Sequence, residues 1–88
     1  MIRETIQVLN QTGIHARPAT KLVKIASTYK SDISIVKNEK TINAKSILGV
    51  MGLAMSYNEN IELIVDGEDE QQALEKIKGL FEEKFGEE

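Results

Sequence analysis

The chain contains no cysteine and no tryptophan, and only one proline and one histidine. Without cysteine it can form neither a disulfide framework nor a thiolate nucleophile or metal ligand. One histidine without cysteine gives no cluster of metal-ligand spacing, so neither a metal nor a cofactor is expected. There is no glycine-rich nucleotide loop and no P-loop lysine, which argues against nucleotide-dependent catalysis. No apolar run approaches the roughly 18 residues of a membrane helix, and the N-terminus lacks a signal-peptide core, so a cytoplasmic location is expected. The two phenylalanines and two tyrosines do not interleave with lysines, which disfavours nucleic acid as a partner.

What is present fits a globular protein. Eighty-eight residues suit one domain, 1–88, and 41% apolar residues is too many for a disordered chain. Charge is divided unevenly. Residues 1–58 carry eight lysines and arginines against three carboxylates, a net +5, whereas 59–88 carry three lysines against eleven carboxylates, a net −8. A basic first half suits an acidic protein partner.

Ile2, Ile6 and Val8 alternate with Arg3, Thr5 and Gln7, the period of a half-buried strand, with Glu4 as a mismatch on the apolar side. Asn10 to Gly13 supply turn residues. Ala19, Leu22, Val23, Ala26 and Tyr29 then mark one stripe of a helix over 16–29, with Pro18 in the first turn, where a missing N–H costs nothing. Ile33, Ile35 and Ile42 frame a hairpin turning near Asn38-Glu39, and the apolar run from Ile47 to Met55 reads as a short helix. A strand over Ile61 to Val65 and a helix carrying Ala73, Leu74, Ile77, Leu80 and Phe81 complete the chain, and the tail from Gly86 to Glu88 is expected to fray. The order β-α-β-β-α-β-α predicts an α+β fold, an open-faced two-layer sandwich with a four-stranded antiparallel sheet and three helices on one face.

His15 lies in Gly13-Ile14-His15-Ala16-Arg17-Pro18-Ala19, at the predicted N-cap of the first helix. Amides there have no intrahelical partner, and the helix dipole favours an anion such as phosphate. The same dipole opposes positive charge on the ring, which suits a nucleophilic imidazole. Arg17 supplies a planar fork of donors to phosphoryl oxygens. Two readings stand side by side: a surface or capping histidine, and a phosphoryl carrier. Histidine is a poor N-cap, so its position asks for a reason other than stability.

Ser46 precedes more apolar residues than a short helix can bury. Val50, Leu53 and Ala54 are assigned to the core and Ile47, Leu48 and Met51 to an exposed patch. Arg17, Thr20, Lys21, Lys24 and Ser27 form the polar side of the first helix and would flank that patch as a basic rim, which favours fast, transient docking. Lys24 and Lys45 read equally well as solvated charge. Ser46 also reads as a helix N-cap, a role compatible with phosphorylation, which would place negative charge on a surface meant for acidic partners.

The motif around His15, together with Asn43-Ala44-Lys45-Ser46-Ile47-Leu48-Gly49-Val50-Met51, resembles the HPr family of histidine-containing phosphocarriers of the bacterial phosphoenolpyruvate-dependent sugar phosphotransferase system, over essentially the whole chain. Thr12, Gly52 and Ala54 are small departures. The resemblance implies that His15 accepts phosphoryl on Nδ1 from enzyme I, assisted by Arg17, and passes it to IIA domains. It further implies that an HPr kinase/phosphorylase acts on Ser46 and that a catabolite-control transcription regulator reads the result. The expected partner-binding residues are Thr20, Lys24, Ser27, Lys45, Ile47, Leu48 and Met51, and the expected state is a monomeric carrier rather than an enzyme. The competing readings are a binding module in which His15 is incidental, a related carrier serving nitrogen control or dihydroxyacetone phosphorylation, and an enzyme in its own right.

Overall fold

Along β4 (Asn60–Asp66), Ile61, Leu63 and Val65 are buried while Glu62 and Ile64 between them are only half-buried, so one face of the strand is packed and the other open. In the computed structural model, which describes residues 1–86, β4 is a central strand. It pairs antiparallel with β1 (Ile2–Gln7) on one side and β2 (Asp32–Lys37) on the other, and β2 pairs with β3 (Lys40–Asn43). The order is β1-β4-β2-β3. Register places Ile6 opposite Ile61 and brings Ile42, Ile35 and Leu63 into one row, so the apolar residues of the four strands share a face. Helices α1 (Ala16–Ser27), α2 (Ile47–Gly52) and α3 (Glu70–Glu82) cover that face, giving the predicted open-faced sandwich, and a 3₁₀ turn follows at Lys84–Gly86.

The core joins Ile33, Ile35, Leu63 and Val65 from the sheet to Ala19, Leu22 and Ala26 of α1, Val50 of α2, and Ala73, Ile77 and Phe81 of α3. Phe81 also meets Phe85 edge to face, 4.9 Å between ring centroids. Glu4, the mismatch in β1, alternates onto the helix side with Ile2 and Ile6, and its carboxylate reaches the Lys78 ammonium of α3 at 2.8 Å. Both groups remain partly in water, so the pair accommodates the charge more than it stabilises the fold.

Two helices are shorter than their apolar patterns. Helix α1 stops at Ser27 rather than 29, since the N–H groups of Thr28 and Tyr29 fold back onto Ile25 and Ala26 carbonyls. Helix α2 stops at Gly52 rather than continuing to Met55. The Ala54 N–H bonds to the Met51 carbonyl, and Ala54 takes a left-handed conformation (φ 54°) that reverses the chain. The reversal corrects one core assignment: Ala54 is exposed, and Met55 is buried in its place. Of the predicted fraying tail, Gly86 belongs to the 3₁₀ turn, where its N–H bonds to the Glu83 carbonyl. Glu87 and Glu88 lie outside the described residues.

The turn between α1 and β2 is closed by a carboxylate. Asp69 accepts hydrogen bonds from the Lys30 and Ser31 backbone amides at 2.8 and 2.9 Å and from the Ser31 hydroxyl. The Ser31 hydroxyl and these amides hold its carboxyl below the usual range. Gly67 permits the close approach, because a Cβ there would lie 2.6 Å from the Ser31 Cα.

Candidate functional site

The turn before α1 is built around Gly13. Its φ of +73° suits glycine, and a Cβ would sit 2.7 Å from the Met55 carbonyl oxygen, so both conformation and space exclude a side chain. The Gly13 N–H donates to the Asn10 carbonyl and the Ile14 N–H to the Met55 carbonyl, each at 2.9 Å. Asn10 is itself fully buried, and its side-chain amide donates to the Lys84 carbonyl at 2.8 Å. With Ile14 buried beneath it, His15 emerges exposed as the N-cap of α1.

His15 has the extended backbone of an N-cap, and its carbonyl accepts the first helical bond from Ala19 at 2.9 Å, but its side chain makes no capping hydrogen bond. The Ala16 N–H lies ahead of that first bond, in the stretch where a helix start has no intrahelical acceptor to offer. Pro18 is the third helical residue and is buried, which seats the first turn on the core without using an N–H. The result is an imidazole at the positive end of a twelve-residue helix. Such a terminus attracts an anion carried on the ring.

Ser46 is the N-cap of α2, and its hydroxyl accepts the Gly49 N–H at 3.1 Å. Ile47, Leu48 and Met51 are 38, 82 and 46% exposed, an apolar patch as expected. Helices α1 and α2 touch. Arg17, Thr20, Lys24 and Ser27 are all exposed, and their spacing of three and four puts them on one side of α1.

Two lysines of the expected basic surface are used internally. The Lys21 ammonium donates to the Phe85 carbonyl and so turns toward the C-terminal 3₁₀ turn rather than the rim. The Lys45 ammonium donates to the Tyr29 carbonyl at 2.8 Å, tying the approach to α2 to the end of α1. The anchors at Asn10 and Met55 were not read from the sequence. Asn10 looks like any turn residue, and Met55 acts through a backbone carbonyl that carries no side-chain signal.

No group of three or more His, Cys, Asp or Glu side chains among the described residues is arranged to hold a metal. A concavity of about 540 Å³ is lined by Lys37, Asn38, Glu39, Lys40, Gly52, Leu53 and Ala54; His15 is not part of it.

The His15 ring is thus exposed at a helix terminus and apart from that concavity. The chain belongs to the HPr family of the phosphotransferase system: the family model described as "PTS HPr component phosphorylation site" matches residues 2–83. It is 47% identical to the phosphocarrier protein HPr of Treponema pallidum, with all of both chains aligned. It is 43% identical to the HPr-like protein Crh of Bacillus subtilis over 96% of this chain and 99% of Crh. Among solved structures, HPr-C-His from Thermoanaerobacter tengcongensis superposes with a TM-score of 0.96 at 44% identity, covering 100% of this chain and 99% of that one. The general role is therefore that of a phosphotransferase-system phosphocarrier. No helix among the described residues is long and apolar enough to cross a membrane.

Proposed function

We propose that His15 carries the phosphoryl group. The ring attacks the phosphorus of phospho-enzyme I, itself charged from phosphoenolpyruvate; the N–P bond to His15 forms through Nδ1 as the bond to enzyme I breaks. The reverse exchange delivers the group to the IIA domain of a sugar transporter. Arg17 and the amides at the start of α1 stabilise the phosphoryl oxygens. The observation that carries this reading is the exposed His15 side chain, at a helix N-terminus and without a capping bond. A nitrogen-bound phosphoryl group keeps its transfer potential, which suits a relay between proteins.

Partners dock on Ile47, Leu48 and Met51, with Arg17, Thr20, Lys24 and Ser27 as the rim. Lys45 contributes by fixing α2 against α1. Phosphorylation of Ser46 by an HPr kinase/phosphorylase adds about −1.5 to −2 charges at this surface, weakens enzyme I docking, and creates the form read by a catabolite-control transcription regulator. The Ser46 motif favours sugar uptake over nitrogen control. In this reading a cytoplasmic monomer is the working unit; dimers have been solved for Crh and for HPr of T. tengcongensis.

The test is incubation with phosphoenolpyruvate, Mg²⁺ and enzyme I. The expected product is an acid-labile, base-stable phosphate on His15, and an unlabelled His15 overturns the assignment.

A further inference from the structure

The segment between α2 and β4, residues 53–59, forms one wall of the His15 turn. Its Met55 carbonyl holds the Ile14 N–H, and Gly13 packs against Met55 and Ser56 with no room for a methyl group. At its β4 end the segment is secured by backbone bonds to Val8, from Val8 N–H to the Glu59 carbonyl and from Asn58 N–H to the Val8 carbonyl, both 2.8 Å. At its α2 end the chain has just reversed at Ala54 in a left-handed conformation, which an alanine adopts at a cost.

One side chain from a different strand holds this end. Lys37, at the end of β2, donates to the Ala54 carbonyl at 2.6 Å and the Leu53 carbonyl at 3.2 Å, and lies 2.9 Å from the Glu59 carboxylate. The same Glu59 oxygen accepts the Ser56 N–H at 2.6 Å. The Lys37 side chain is only 15% exposed, so its ammonium depends on these partners in place of water. Glu59 is matched to this arrangement, its carboxyl held below the usual range first by Lys37 and then by the Ser56 N–H.

We infer that Lys37 is a positioning residue for phosphoryl transfer: by clamping residues 53–59 at both the Ala54 carbonyl and Glu59, it sets the Met55 carbonyl that orients Ile14 and hence the His15 ring. Nothing in the sequence around His15 points to it. Its ammonium binds the Leu53 and Ala54 carbonyls and Glu59, whereas the docking side chains Ile47, Leu48 and Met51 are exposed on α2. Loss of the clamp therefore affects the transfer step more than partner affinity. The inference rests on His15 being the phosphoryl acceptor.

The experiment compares the full-length chain with Lys37→Met, Lys37→Arg and, as a control, Lys30→Met, which removes a lysine paired on the surface with Glu68. Initial rates of phosphorylation by phospho-enzyme I give kcat and KM for each carrier, and amide exchange at Ile14 reports the turn without any partner. Lys37→Met is expected to lower kcat about tenfold, as for a reacting group displaced by a fraction of an ångström, with KM changed less than about twofold. Ile14 exchange should accelerate, Lys37→Arg should recover most of both, and Lys30→Met should match the parent. Glu59→Gln provides a milder second variant, with a smaller change in the same direction, should Lys37→Met unfold. An unchanged kcat in folded Lys37→Met, or a lowered kcat with unchanged Ile14 exchange, overturns the inference. Failure of the parent chain to label at His15 instead overturns the carrier assignment, while Ile14 exchange still reports on the clamp.

Discussion

Helices α1 and α2 lie side by side in one layer and begin in opposite ways. At α2 the Ser46 hydroxyl caps the Gly49 N–H, so part of the terminus is satisfied from within. At α1 the N-cap His15 makes no such bond, and the turn is held instead from outside, by Asn10, Met55 and the glycine between them. A helix start capped by its own first side chain and one held by distant segments thus differ in where the anchoring comes from. Helix α3 is a third case: its N-cap Asp69 makes no side-chain cap bond and commits its carboxylate to Lys30 and Ser31.

Breaking the comparison at α1 should have the largest effect. His15→Ala is expected to abolish phosphorylation by enzyme I while changing unfolding free energy by less than about 0.5 kcal/mol, because both residues are poor N-caps; urea titration and a labelling assay measure the two separately. A large stability loss would mean that His15 supports the helix after all. Gly13→Ala comes next, with a destabilisation of about 2–3 kcal/mol from left-handed strain and the clash with Met55, read from the urea midpoint.

At α2 two substitutions separate capping from docking. Ser46→Asp keeps a capping oxygen and adds charge, so the KM with enzyme I should rise about tenfold with stability nearly unchanged. Ser46→Ala should do the reverse, costing about 1 kcal/mol of stability and leaving KM unchanged. Unchanged transfer kinetics in Ser46→Asp would sink the regulatory reading.

The smallest expected effect is at α3. Asp69 has a depressed native pKa, so the unfolded chain binds its proton first, and the carboxylate's contribution is present above about pH 4 and lost as pH falls through the native value. Asp69→Asn should therefore lower Tm near neutrality, with the gap to the parent closing in acid; a gap independent of pH would contradict the clasp.

Local periodicity made the four strands, three helices and the exposed Ile47, Leu48 and Met51 readable, since alternate strand residues and every third or fourth helical residue must share a face. It misjudged Ala54 and left Met55 unassigned because the apolar run does not show that α2 ends at Gly52 and the chain reverses. It also treated Lys21 as rim charge and Lys45 as solvated or partner-binding charge, whereas carbonyls 64 and 16 residues away in the chain take their ammonium groups. Glu4 looked misplaced only until Lys78 of α3 came beside it.

For His15, the sequence alone determined the candidate carrier residue, its place at a helix start and the glycine that exposes it, because each depends on neighbours within a few residues. The tertiary structure decided what holds that turn still: the Met55 carbonyl, the buried Asn10, and Lys37 reaching from β2. These are contacts between distant segments, often through backbone atoms that every residue possesses, so they exist only once the sheet has brought the segments together.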